Sequence, residues 1–165
     1  MIAVLIGCGL RRAEAAALKF EDVQLREEHR VIADLNGKGG HTRTIPMPNW
    51  VKTANDEWAI PAGINSGPLV RAINKAGRVG ENGFTPKVIW SIVKEGAANC
   101  GLVGLAPHNL RRACARLCQP AGGVLEQIQF LLGHASLQTT ERYLGCKQRF
   151  QNAVNDAIGL DPNGS

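Results

Sequence analysis

Leu131-Leu132-Gly133-His134-Ala135-Ser136-Leu137-Gln138-Thr139-Thr140-Glu141-Arg142-Tyr143 contains the only tyrosine of the chain, placed after a histidine that itself follows Leu-Leu-Gly. Just upstream, Leu125, Ile128, Leu131 and Leu132 recur at helical spacing and predict a short helix over residues 124–132, stopped by Gly133 immediately before His134. The ordinary role of a single tyrosine is to bury its ring and keep its hydroxyl wet. A chemical role needs partners, and these have to come from other segments.

Moving upstream, Pro107-His108 opens a predicted helix with Leu110, Ala113, Cys114 and Leu117 at helical spacing. His108 and Arg111, three apart, project from the same side of its first turn. Thr85-Pro86 is a clear helix start, with threonine as cap and proline in the first turn. Ile89, Ile92, Val93 and Ala97 mark its buried face, and Gly101 ends it. Residues 48–59 read as a helix with Trp50, Val51, Ala54 and Trp58 on an apolar stripe. Residues 68–73 form a brief apolar segment, and residues 74–83 a flexible basic loop.

Between residues 22 and 46 the period changes to two: Val31, Ala33 and Leu35 alternate with polar neighbours, and Thr42, Thr44 and Ile45 follow a glycine-rich stretch. This predicts a hairpin or meander with Lys38 at the tip of a Gly-Lys-Gly turn. At the front, residues 1–7 read as the end of a buried helix, and Gly9 separates it from an alanine-rich helix over residues 11–18. Arg11 and Arg12 stand at that helix's N-terminal end, where the dipole prefers negative charge, whereas Glu14 suits its position. Phe150, Val154 and Ile158 predict a terminal amphipathic helix, so residues 148–165 read as helix plus polar tail. The expected fold is α+β and mostly helical, with a small antiparallel sheet at one edge.

At 165 residues the chain has the size of one domain. Nineteen Lys and Arg against fourteen Asp and Glu leave a formal charge of +5, which favours an anionic partner. Five cysteines without a C-x-x-C pair argue against a disulfide framework or a zinc site and fit a reducing, cytoplasmic compartment. The apolar opening is too short to span a bilayer and lacks the marks of a secretory signal, so no membrane role is expected.

Taken together, Gly9-Leu10-Arg11-Arg12-Ala13-Glu14, Gly37-Lys38-Gly39 with Arg43 and Pro46 on the following strand, His108-x-x-Arg111, Leu132-Gly133-His134 and Tyr143 resemble the catalytic domain of the tyrosine recombinases, the lambda-integrase family. The segments come in the family's order with similar spacing, over roughly residues 2–150. Each is weak alone, and the combination is specific.

The resemblance implies a site-specific recombinase or integrase that cuts and rejoins double-stranded DNA through a 3′-phosphotyrosyl intermediate. Such a transesterification needs a nucleophile at phosphorus, an acid for the leaving sugar oxygen and cations for the charge of a pentavalent phosphorane. Tyr143 is the implied nucleophile and Lys38 the general acid. Arg11 and Arg111 would offer forks of N–H donors to the phosphate oxygens, a geometry lysine cannot copy. His108 would accept the tyrosine proton or hold the phosphate, and His134 would donate to a phosphate oxygen. Arg12, Arg43 and Arg112 are expected at the DNA backbone, as are Arg71, Lys75, Arg78, Lys87 and Arg116. No cofactor is expected, because the phosphotyrosyl link stores the bond energy.

Two positions depart from the commonest pattern: Arg112 stands where the family often has a second histidine, and Ala13 replaces a frequent serine or glycine. The family's N-terminal helical domain is not in the sequence, so residues 1–165 are expected to be a catalytic fragment of a longer protein. The terminal helix resembles one that packs on a neighbouring protomer, implying a homo-oligomer, a tetramer on synapsed DNA. The competing readings are a non-catalytic DNA-binding or regulatory remnant and a type IB topoisomerase, which shares the chemistry.

Overall fold

The computed structural model describes residues 1–37 and 42–146. Lys38 and the expected terminal helix over residues 148–165 lie outside the described residues.

The chain begins with two short helices, α1 (Ile2–Gly7) and α2 (Arg12–Ala17). A three-stranded antiparallel meander follows: β1 (Val23–Arg26), β2 (His29–Asn36) and β3 (Thr42–Pro46), in that order across the sheet. Helix α3 (Asn49–Ala59) leads to a two-stranded hairpin, β4 (Arg71–Ile73) and β5 (Val79–Gly83). Four helices complete the described chain: α4 (Pro86–Asn99), α5 (Pro107–Cys118), α6 (Leu125–Leu132) and α7 (Leu137–Leu144). The architecture is α+β with a small antiparallel sheet, as the period changes predict.

One large core joins α1, α2, the sheet, α3 and α4 through Val4, Leu5, Leu10, Leu18, Ile32, Ile45, Val51 and Ile89, all buried. Hydrophobic burial of this kind is the main favourable term in folding. A smaller cluster of Ala115, Ile128 and Leu132, with Cys118, Tyr143 and Leu144 against it, ties α5, α6 and α7 together. Helix α1 packs on both α3 and α5 and so bridges the two groups. Its Gly7 allows the close approach of α3, since a Cβ there would lie 2.3 Å from Val51 Cγ2 and 2.6 Å from Trp50 Cζ2.

Several expectations change in detail. Trp50 does not join the apolar stripe of α3: it is half exposed and lies across Gly7, while Val51, Asn55 and Ala59 face inward. Leu117 is exposed, because the buried side of α5 runs through Leu110, Arg111, Cys114 and Ala115. The basic loop over residues 74–83 is largely the β4–β5 hairpin, whose strands are mostly exposed and carry no apolar alternation to announce them. Its turn is organised by Asn74, whose Oδ1 accepts the backbone N–H groups of Ala76 (2.9 Å) and Arg78 (3.0 Å). Helix α4 starts as expected, with the Thr85 hydroxyl accepting the Val88 N–H at 3.3 Å.

The meander has two special points. A bulge between Ile32 and Leu35, where Asp34 has a φ of 49°, brings Leu35 opposite Arg43 rather than Thr42. On β3, Arg43 lies two residues before the buried Ile45 and so shares its face. The β1–β2 turn is made by Glu27 and Glu28, both with positive φ (47° and 65°), a conformation that favours Asn-Gly. Left-handed backbone costs an ordinary residue about 1–2 kcal/mol. Replacing the pair together, Glu27→Asn with Glu28→Gly, should therefore stabilise the chain by about 1–2 kcal/mol. A urea midpoint that fails to rise would contradict this account of the turn.

Candidate active site

The site is assembled around the C-terminal end of α6. A helix leaves its last carbonyls without intrahelical partners, and cations are favoured there. Gly133 closes α6 in the left-handed region (φ 59°, ψ 50°), and the His134 N–H reaches back to the Gln129 carbonyl at 3.2 Å, a Schellman-type ending. The three consecutive carbonyls at this end each accept from a different arginine. Arg43 Nε donates to Leu131 O (3.3 Å), Arg111 Nη2 to Leu132 O, and Arg11 Nη2 to Gly133 O (3.0 Å). Gly133 is needed for close approach as well as for its φ, since a Cβ there would meet Arg43 Cδ at 2.8 Å and Nε at 2.9 Å.

Glu14 balances part of this charge. It is the third residue of α2, and its Oε2 accepts the backbone N–H of Arg11 at 2.7 Å, half of a capping box. Its carboxylate also accepts Arg11 Nη1 at 2.7 Å and both terminal nitrogens of Arg43, at 3.0 and 2.9 Å. Burial alone would raise the Glu14 carboxyl, but the hydrogen bonds from Arg43 and Arg11 outweigh it and hold the group below its ordinary value. Three guanidinium groups thus gather near one carboxylate, two of them bonded to it, and the cluster retains an excess of positive charge suited to an anion.

Arg111 is the most deeply placed of the three, only 2% exposed, with a second bond from Nη1 to the Gly9 carbonyl. Burial, then the charge of Arg11, lowers its pKa to about 10, so it stays protonated at neutral pH. Arg111 and His108 both line a cleft of about 540 Å³ together with Arg11, Arg12, Trp90, His134 and Tyr143.

Tyr143 stands on α7 between the two histidines. Its hydroxyl lies 3.3 Å from His108 Nδ1 and 3.2 Å from Nε2. The rings meet edge to face, with centroids 5.3 Å from His108 and 4.6 Å from His134. His134 is buried, its Nδ1 lies 3.0 Å from Thr140 Oγ1, and its backbone carbonyl accepts Gln129 Nε2 at 3.0 Å. Burial, and then the positive charges of Arg111, Arg11 and Arg43, push its pKa down to about 4, so the ring is neutral at pH 7.

Five of the six expected catalytic residues therefore converge: Arg11, His108, Arg111, His134 and Tyr143. The expected DNA contacts separate. Arg12 is exposed and lines the cleft. Arg43 is turned inward, its side chain only 11% exposed and its guanidinium engaged by Glu14 and Leu131, which leaves it unsuited to a phosphate of the DNA backbone. The alternation of β3 carries the signal for this, since Arg43 lies two residues before the inward Ile45. Arg112 and Arg116 are exposed, and their Nε groups donate to the Tyr143 carbonyl at 3.4 and 3.3 Å, holding the end of α7 to α5. Sequence reasoning assigns no role to Trp90 or Thr140. Thr140 was detectable in principle, since it precedes Tyr143 by three residues on one helix face.

The chain matches the phage integrase family over residues 1–149. It is 33% identical to tyrosine recombinase XerA of Pyrococcus furiosus over 143 residues, covering 87% of this chain and 48% of that protein. With tyrosine recombinase XerC of Roseiflexus castenholzii the identity is 35% over 151 residues, covering 87% and 45%. The chain thus spans about half the length of these relatives. Among solved structures, that of XerA recombinase aligns with a TM-score of 0.71 at 25% identity, over 93% of this chain and 54% of that one. XerH recombinase, captured with palindromic difH substrate in a post-cleavage complex, has the same fold, with a TM-score of 0.69 at 23% identity over 89% and 41%.

Glu14→Gln tests the charge balance. Leaving the part-buried Arg11 and Arg43 short of their partner should cost about 1–3 kcal/mol at pH 7. The folded pKa of Glu14 lies below its unfolded one. Its stabilisation is therefore complete above the ordinary glutamate value of about 4.3 and is lost as pH falls through the lower folded value. In urea titrations across this acidic range the wild type should lose this increment and the Gln variant should not. Parallel pH profiles would refute the assignment.

Proposed function

Because the chain belongs to the phage integrase family of tyrosine recombinases, we propose that it is the catalytic domain of a site-specific recombinase that cuts and rejoins double-stranded DNA through Tyr143. The observation that carries this reading is the Tyr143 hydroxyl, held against His108 at the mouth of a cleft floored by Arg11 and Arg111.

In the forward step the Tyr143 oxygen attacks the scissile phosphorus, the bond to the 5′-oxygen breaks, and a 3′-phosphotyrosyl link forms. A phenol is a poor nucleophile unless its proton is taken. His108 is the group within hydrogen-bond reach, and it receives that proton. Arg11 and Arg111 stabilise the charge gathering on the non-bridging oxygens, and neutral His134 adds one donated hydrogen bond. The departing 5′-oxygen takes a proton from Lys38, a role that rests on the family resemblance. Rejoining is the same path reversed, with one phosphodiester exchanged for another of similar energy, so the step balances without ATP or a metal.

A duplex substrate is supported by the net positive charge and by the substrate-bound state of the XerH relative. Arg12, on the cleft rim, and the exposed Arg112 are the proposed contacts to the DNA backbone; such contacts set affinity and salt dependence rather than sequence choice. Residues 1–165 then act as one catalytic domain in the cytoplasm, working as a homo-oligomer on synapsed DNA through residues 148–165. Among the described residues no helix is long and apolar enough to cross a membrane.

A suicide duplex, nicked so that the cleaved product diffuses away, provides the test. The wild type should accumulate a covalent protein–DNA adduct, Tyr143→Phe none, and Arg111→Lys about 10²- to 10³-fold more slowly. Equal trapping by the wild type and Tyr143→Phe would remove the nucleophile. Duplex binding without any adduct would favour the non-catalytic remnant.

A further inference from the structure

The hydroxyl of Thr140 is completely buried, with an exposure of 0%. Among the described residues its one hydrogen-bond partner is His134 Nδ1, at 3.0 Å. A threonine hydroxyl within a helix commonly donates to the carbonyl four residues back, yet Ser136 O instead accepts the Thr139 N–H at 3.1 Å and takes no bond from Thr140. The hydroxyl proton therefore has a single acceptor available. Were Nδ1 to carry the ring proton and donate to Oγ1, the Thr140 O–H would be sealed away unpaired, at a penalty of about 1–3 kcal/mol.

We infer that Thr140 is a positioning residue for His134: its hydroxyl donates to Nδ1, which places the ring's one proton on Nε2 and presents that N–H to the cleft. The other ring nitrogen fits this reading. Nε2 has no hydrogen-bond partner among the described residues, and none of their buried side-chain polar atoms is sealed without one, so Nε2 reaches solvent, and His134 is among the residues lining the cleft. A neutral imidazole has one donor and one acceptor, and the partner of one nitrogen decides which is which. The ring is neutral because burial and the surrounding arginines hold its pKa near 4. A phosphate oxygen can accept from an N–H but is repelled by a ring lone pair, so the wrong tautomer would turn a stabilising contact into an opposing one.

The rest of the ring is fixed to suit. Gln129 brackets its backbone from both sides, accepting the His134 N–H and donating to the His134 carbonyl. Tyr143 packs against its edge. Thr140 and Tyr143 sit on α7 three residues apart, so one helix carries both the nucleophile and the group that orients its neighbour.

The tautomer does not depend on the recombinase reading above, whereas its effect on rate rests on it. The spectroscopic test uses the whole chain labelled with ¹⁵N-histidine, at pH 7 and without DNA, with the His134 signals identified by their loss in His134→Gln. Long-range ¹H–¹⁵N correlation should show a protonated Nε2 and an Nδ1 whose lone pair accepts a hydrogen bond. Thr140→Ser should keep this pattern. Thr140→Val, which has the same shape without the hydroxyl, should move Nδ1 to the position of a free lone pair or transfer the proton to it. A proton on Nδ1 in the wild type, or an Nδ1 signal unmoved in Thr140→Val, would overturn the inference. Should the Val variant not fold, the wild-type and Ser spectra still decide it.

On the nicked duplex, Thr140→Val should form the adduct about 10- to 100-fold more slowly, as expected for loss of an orienting hydrogen bond, with Thr140→Ser close to the wild-type rate. Equal rates for Val and wild type would overturn the catalytic part. A wild type that forms no adduct would instead remove the recombinase reading, and the spectra would still report the tautomer.

Discussion

The negative end of α6 is the constraint on which the site depends. Its last carbonyls would be costly to bury without donors, and Arg43, Arg111 and Arg11 supply one each. The consequence is positional. Three long, rotamer-rich side chains from β3, α5 and the start of α2 are held by a rigid backbone feature rather than by one another. Since like charges repel, this arrangement persists only because the helix end and Glu14 offset the repulsion. Arginine suits such a place better than lysine: its five N–H groups let one side chain hold a carbonyl and still have donors for an anion.

The same charges explain why the two histidines differ. His134 is buried among the arginines, and that environment keeps it uncharged. His108 is exposed on the first turn of α5, its ring beside the Tyr143 hydroxyl. On the proposed reading, the buried imidazole donates a fixed hydrogen bond and the exposed one takes the tyrosine proton. Separate environments for chemically identical groups are a common way to divide acid–base roles at a site.

Much of this was legible in the sequence. The period change at residues 22–46, the Thr85-Pro86 start and the glycine after Leu132 located the meander, α4 and the end of α6, because local patterns and backbone stops dictate them. The residues Arg11, His108, Arg111, His134 and Tyr143 were found through their combination, although nothing local relates them. The misses share a cause. The β4–β5 hairpin is mostly exposed and held by its turn, so hydrophobic alternation is silent. Arg43 turns inward although basic residues beside a DNA site ordinarily face the DNA, and its strand neighbour Ile45 marks the buried face. Trp50 fits the apolar stripe of residues 48–59 by spacing, yet it is half exposed and lies over Gly7. Helix α7 is short and polar on one side, which concealed both the helix and Thr140.

The arginine–carbonyl bonds also impose an order on folding. They connect residues far apart in sequence: Arg11 to Gly133 across 122 positions, Arg111 to Gly9 across 102, and Arg43 to Leu131 across 88. Contacts of such separation carry a large loop-closure cost and form after local helices and hairpins. A chain still emerging from the ribosome, or one partly opened by heat, keeps Tyr143 on a local helix without the arginines that gather at the end of α6. On the proposed reading, the capacity to break a phosphodiester therefore arises last and disappears first, and an incompletely folded molecule does not cut DNA.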